Sequence, residues 1–204
     1  MTGSHSALND VVRRVETTRN LDVVAGALAP IAARITRSDR TKALLSGSFL
    51  GHPLHPALTD VPIGCWVSAS VLDLVGGGGA RSGTQRLVAL GIVATVPTAL
   101  TGLTDWQDTS GGARRVGVAH AIANSCALLM QVASWSARRK GHHVRGAALG
   151  ALGLGALGIG GYLGGHLAFA SSENVGGYTE GDAPTLAIPD EAPLPANSGS
   201  TSRS

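Results

Sequence analysis

The sequence predicts an all-α, polytopic membrane protein: a four-transmembrane-helix bundle between a basic amphipathic N-terminal tail and a disordered C-terminal tail. Three observations carry that prediction. Charged residues make up 14% of the 204 residues, and the mean hydropathy is positive. There are 29 glycines, a residue common in membrane helices, while aromatics reach only 3%, too few to fill a soluble core of this size. Four stretches are apolar over the ~20 residues a bilayer requires.

Residues 1–50 form the first region. Leu8, Val11, Val12, Val15, Leu21, Val24, Leu28, Ile31 and Ile35 recur every three or four residues, the helical period. Arg13, Arg14, Arg19, Arg34, Arg37, Arg40 and Lys42 decorate the pattern, so the segment reads as a helix lying on an anionic membrane surface or as a solvated tail. Pro30 is expected to break or kink it. The first twenty residues hold no continuous apolar run, so no cleavable signal peptide is expected.

Residues 51–170 hold the four spans, at 57–76, 86–104, 117–137 and 146–169, joined by short connections with turn or charge signals: GGGGARSGTQ, DWQDTSGGARR and RRKGHHVR. A soluble bundle would need polar helix faces, which these segments lack. Cys65 and Cys126 fall inside spans, form no CxxC pair, and read as packing thiols. Residues 171–204 are rich in Pro, Ser, Gly and acid, a composition that favours disorder.

Threading the spans up and down places chemistry at one face. The start of the first span brings His52, His55 and Asp60. The second ends in Asp105 and Trp106. The third begins with His120, followed by Asn124, and the fourth ends with Tyr162 and His166. Four of the seven histidines therefore share one leaflet, while His5, His142 and His143 lie in a tail or a basic loop. In the third span His120, Asn124, Ala127 and Gln131 lie on one helix face; in the second, Thr98, Thr101, Gly102 and Asp105 do the same. Polar residues at membrane depth normally face the bundle interior or a water-filled cavity. For Thr98, Thr101 and Gln131 the favoured reading is a hydrogen-bonded seam that holds helices together. In the fourth span, Gly160/Gly164 and Gly161/Gly165 have the small-xxx-small spacing. That spacing serves close helix packing or leaves room for a flat macrocycle.

GHPLHPALTDVPIGCW, LVALGIVATVPTALTGLTDW, RRVGVAHAIAN and GGYLGGHLAF together resemble the bacterial four-helix membrane family of domain of unknown function 2231, over about residues 43–170. In similar actinobacterial members this domain is often followed by a Rieske-type iron–sulfur domain. That resemblance implies an electron-transfer setting and an iron–sulfur or other redox partner. A Rieske centre needs two Cys and two His ligands, and this chain has no cysteine after Cys126.

Three functional readings follow. In the first, the chain is an electron-transfer subunit holding haem b, with His120 and His166 as the preferred axial pair, His55 as the competitor, and Asp60 or Asp105 orienting a ligand ring. In the second, His52, His55, His120 and His166 bind a divalent metal, or the cluster relays protons with Asp60 and Asp105. In the third, the protein is a membrane anchor and the cluster a satisfied polar plug. No nucleophile–base pair, phosphate loop or nucleic-acid motif is present, so no catalysis by this chain alone is expected. The partner the composition demands is the lipid bilayer.

Four spans place both termini on one side. Basic residues nearly tie between the faces: Arg81, Arg86, Arg138, Arg139, Lys140 and Arg145 on one, Arg37, Arg40, Lys42, Arg114 and Arg115 on the other. The long basic N-terminal tail breaks the tie toward a plasma-membrane protein with both termini cytoplasmic.

Overall fold

A computed structural model describes residues 7–175, which form seven α-helices. The last four, α4 (Leu54–Val75), α5 (Arg81–Gln107), α6 (Gly111–Arg139) and α7 (His143–Val175), are each long and apolar enough to cross a membrane. They run up and down, with α4 packed on α5, α5 on α6, α6 on α7 and α7 back on α4. The helices overrun the spans expected from hydropathy, because an α-helix continues into the interfacial layer where its polar ends meet water. The 27 residues of α5 reach about 40 Å, against ~30 Å of hydrocarbon.

Only 22–28% of each spanning window is buried inside the bundle. The apolar side chains therefore point outward: Leu74 is 86% exposed, Val93 67% and Leu129 65%. In water that surface would be untenable, and in lipid it is the expected one. Cys65 is buried, as a packing thiol should be, whereas Cys126 faces outward, because its position on α6 lies off the buried stripe.

Inside the bundle, glycine notches receive large side chains. Trp66 of α4 lies against Gly91 and donates its indole N–H to the Val88 carbonyl at 3.3 Å. Trp106 lies against Gly117, donates to the Arg114 carbonyl at 3.0 Å, and carries the Arg114 guanidinium 4.2 Å above its ring. At the opposite end, Arg138 of α6 is buried and grips Asp73 of α4 with two hydrogen bonds, at 2.7 and 2.5 Å.

The N-terminal segment packs on the bundle through its apolar face. In α1 (Ala7–Thr17), Val12 is buried against Val116 and Leu163. In α2 (Leu21–Ile35), Ala25 and Ala32 are buried against Trp106 and Val118. Pro30 does not break this helix, although proline forgoes a backbone hydrogen bond there; the packing of Ala25 and Ala32 on either side holds it. The chain breaks instead near 18–20 and 36–38, where Thr36 donates its hydroxyl to the Ala32 carbonyl and to Gln107. Arg115 ties α2 down by a two-pronged bond to Asp22, at 2.8 and 2.9 Å. After α3 (Asp39–Ser46), Gly47 and Gly51 take left-handed backbone angles, with φ of 79° and 66°. A Cβ at Gly47 would collide with the His52 carbonyl, so this corner requires glycine. Pro53 then leads into α4, and Pro56 falls in its first turn, where the missing N–H has no helical partner to lose.

The C-terminal region expected to be disordered lies, from residue 176 onward, outside the described residues; residues 171–175 continue α7.

Candidate functional site

The face that carries the histidines is the one at the start of α4 and α6 and the end of α5 and α7. Two of them meet. His55 and His120 stand edge to face, with ring centroids 6.1 Å apart and planes at 80°. Each ring is anchored to the helix across from its own. The ring N–H of His55 Nδ1 donates to the Thr98 carbonyl at 2.9 Å, and that of His120 Nδ1 to the Gly160 carbonyl at 2.8 Å. A carbonyl can only accept, so both rings carry a proton on Nδ1, and in the neutral ring Nε2 is then the free base. Asn124, one turn along α6, donates its amide to His120 Nε2 at 3.0 Å. His55 Nε2 has no hydrogen-bond partner among the described residues.

Glycines make these seats. A Cβ at Gly102 would fall 2.7 Å from His55 Cε1, one at Gly164 2.9 Å from His120 Cε1, and one at Gly160 2.5 Å from Asn124 Oδ1. Of the two glycine pairs of α7, Gly160/Gly164 serves packing, its notches filled by Asn124 and His120, while a Cβ at Gly161 or Gly165 would meet nothing within 4 Å.

The other expected residues lie apart from this pair. His166 faces Glu16 of α1, with Nε2 3.4 Å from the carboxylate. It stands about 200° around α7 from Gly164, whose notch holds His120. His52 is exposed and donates from Nδ1 to the carbonyl of its neighbour Pro53 at 3.2 Å. Asp60 is exposed on α4 and has no polar partner among the described residues. Asp105 is half-buried on α5, one turn beyond Thr101 and Gly102 and on the same helix face. Thr98 and Thr101 behave as helix glue: Thr98 donates to the Leu58 carbonyl across the α4–α5 contact, and Thr101 to the Thr98 carbonyl that also receives His55.

Sequence reasoning missed two partnerships. The Asp73–Arg138 pair had a signal. The stripe His120, Asn124, Ala127, Gln131 continues at steps of three and four to Ser134 and Arg138, and Asp73 is the one acidic residue between 61 and 104. Glu16 as the partner of His166 had none, since only packing brings α1 beside the end of α7.

The bundle and its inward polar side chains define a four-helix integral membrane protein. The chain belongs to the predicted membrane protein family DUF2231, whose family model matches residues 51–175. Neither the curated proteins nor the solved structures contain a match to it.

Proposed function

We propose that this membrane protein handles protons, and that the His55–His120 pair is the site at which they bind. The observation that carries the reading is His55 Nε2: a ring nitrogen without a partner among the described residues, on a ring held by its other nitrogen to the Thr98 carbonyl. A proton taken up there needs no rearrangement of the anchor. Asp105, a turn nearer the helix end on the α5 face that seats His55, is the group between the pair and water. From the long basic N-terminal tail we also infer that the histidine face and both termini lie in the cytoplasm of a plasma-membrane protein.

Two alternatives ask more of the geometry. A divalent metal usually requires a third and fourth donor, and no group of three His, Cys, Asp or Glu side chains converges among the described residues. Haem b between His120 and His55 would have to draw His120 Nε2 away from the Asn124 amide that bonds it at 3.0 Å. Haem between His120 and His166 would have to draw His166 away from Glu16. Electron transfer to an iron–sulfur partner therefore ranks second.

The test is nitrogen-15 NMR of the histidines in protein reconstituted in nanodiscs, with an absorption spectrum before and after dithionite. We expect a neutral His55 with its proton on Nδ1, converting to the doubly protonated ring on acidification, and a signal lost in His55→Ala but kept in His52→Ala. A Soret band that disappears in His55→Ala or His120→Ala would replace this reading with the redox one. A His55 signal unchanged across the pH range, with no band, would leave the membrane-anchor reading.

A further inference from the structure

The far half of the α6–α7 contact holds a second polar constellation. Gln131, Ser134 and Arg138 follow one another on the α6 face that meets Gly146, Gly150 and Gly153 of α7. Gln131 is 1% exposed. Its amide N–H donates to the Gly150 carbonyl at 3.2 Å, but its carbonyl oxygen Oε1 is buried without a hydrogen-bond partner among the described residues. An orphaned buried acceptor is destabilising, and buried polar groups in folded proteins are almost always satisfied by protein or by ordered water.

Gly150 supplies the space. A Cβ placed there would lie 3.4 Å from Ser134 Oγ, 3.7 Å from Arg138 Nη2 and 3.7 Å from Gln131 Oε1. Three polar atoms thus surround one methyl-sized notch. A water oxygen stands about 3.3 Å from a Cα it contacts, farther out than a Cβ, in the space those three polar atoms border.

We propose that one buried water molecule occupies the notch beside Gly150 and hydrogen-bonds Gln131 Oε1, Ser134 Oγ and Arg138 Nη2. The donors and acceptors balance. Ser134 already gives its proton to the Gly146 carbonyl at 2.6 Å and accepts one bond from Arg138 Nε at 3.2 Å, so it has a lone pair left. Arg138 Nη2 spends one N–H on Asp73 and has a second free. The water donates to Gln131 and Ser134 and accepts from Arg138, three bonds, the usual number for a buried water. It completes a hydrogen-bonded chain from Gln131 to the Asp73 carboxylate, about 10 Å along α6. Ala127, fully buried, separates that chain from Asn124 and the histidine pair. The water site does not depend on what the histidines do.

Gly150→Ala decides the matter. Its methyl makes only ordinary contacts, so over an empty notch the better helix propensity of alanine should leave the melting temperature unchanged or raise it. If water is there, the methyl expels it and strands Gln131 Oε1, and the melting temperature in detergent falls by about 2–6 °C. The same substitution made on a Gln131→Leu background should no longer lower it, because the acceptor is gone. In nanodiscs, a water NOE to the Gly150 amide proton should be present in the wild type and absent in Gly150→Ala. A Gly150→Ala shift that is the same in the wild-type and Gln131→Leu backgrounds, or a wild type without the NOE, overturns the proposal.

Discussion

Arg138 and Asp73 close one end of the bundle with a two-pronged ion pair, at 2.7 and 2.5 Å, between α6 and α4. The two helices are not neighbours in chain order, so this pair joins opposite helices of the up-and-down ring. The guanidinium lies 2% exposed, where a charge without its partner is costly.

Removing one partner should therefore hurt more than removing both. Asp73→Ala and Arg138→Leu are each expected to cost about 3–5 kcal/mol, and the Asp73→Ala/Arg138→Leu double variant much less than their sum. Equilibrium unfolding of the four proteins in mixed detergent micelles measures the coupling; additive losses would mean that the pair is not a buried, mutually dependent unit.

Gly102 should tolerate no side chain. Alanine there must push the His55 ring off the Thr98 carbonyl, with an expected loss of about 1–3 kcal/mol and a changed His55 nitrogen-15 signal. Gly161, on the open side of α7 with nothing within 4 Å of a Cβ, is the control. Gly161→Ala should be neutral or stabilising by up to ~1 kcal/mol.

Docking of α2 should depend on pH in one direction. The hydrogen bonds from Arg115 hold the Asp22 carboxyl below its ordinary value of 3.8. A carboxylate so shifted contributes above its unfolded-state pKa and stops contributing as the pH falls through the lowered folded value. Spin labels on α2 and α6 should accordingly stay close from neutral pH down to about 4 and separate only below it. Asp22→Asn should loosen α2 at every pH and remove this acid step.

Orientation can be read from single cysteines in a Cys65→Ala/Cys126→Ala background. If both termini are cytoplasmic, cysteines placed at positions 3 and 200 are shielded from an impermeant thiol reagent in intact cells and react after lysis. One at position 142, in the loop between α6 and α7, reacts in intact cells. The opposite pattern inverts the protein in the membrane.

The candidate site was legible as a depth and not as a set of contacts. Alternation of the spans brings His55, His120 and His166 to one face, and that much needs only helix length and short loops. Which rings touch depends on rotation of each helix about its axis, and the packing of α7 on α6 sets that rotation. Gly160 and Gly164 admit Asn124 and His120, which turns His166 toward α1 and Glu16. His55 reaches His120 because Gly102 leaves room beside the Thr98 carbonyl.

By itself, the sequence determined the four membrane helices, their alternation and the helical period of the N-terminal segment, because each follows from hydrophobicity summed along a single element. Tertiary structure alone decided that α2 runs through Pro30, that Cys126 faces outward, that Glu16 meets His166 and that His120 meets His55 rather than His166. These depend on which face of one helix meets which face of another. That choice is made by small residues opposite large ones across a contact, a match between segments 19 to 150 residues apart that no local pattern encodes.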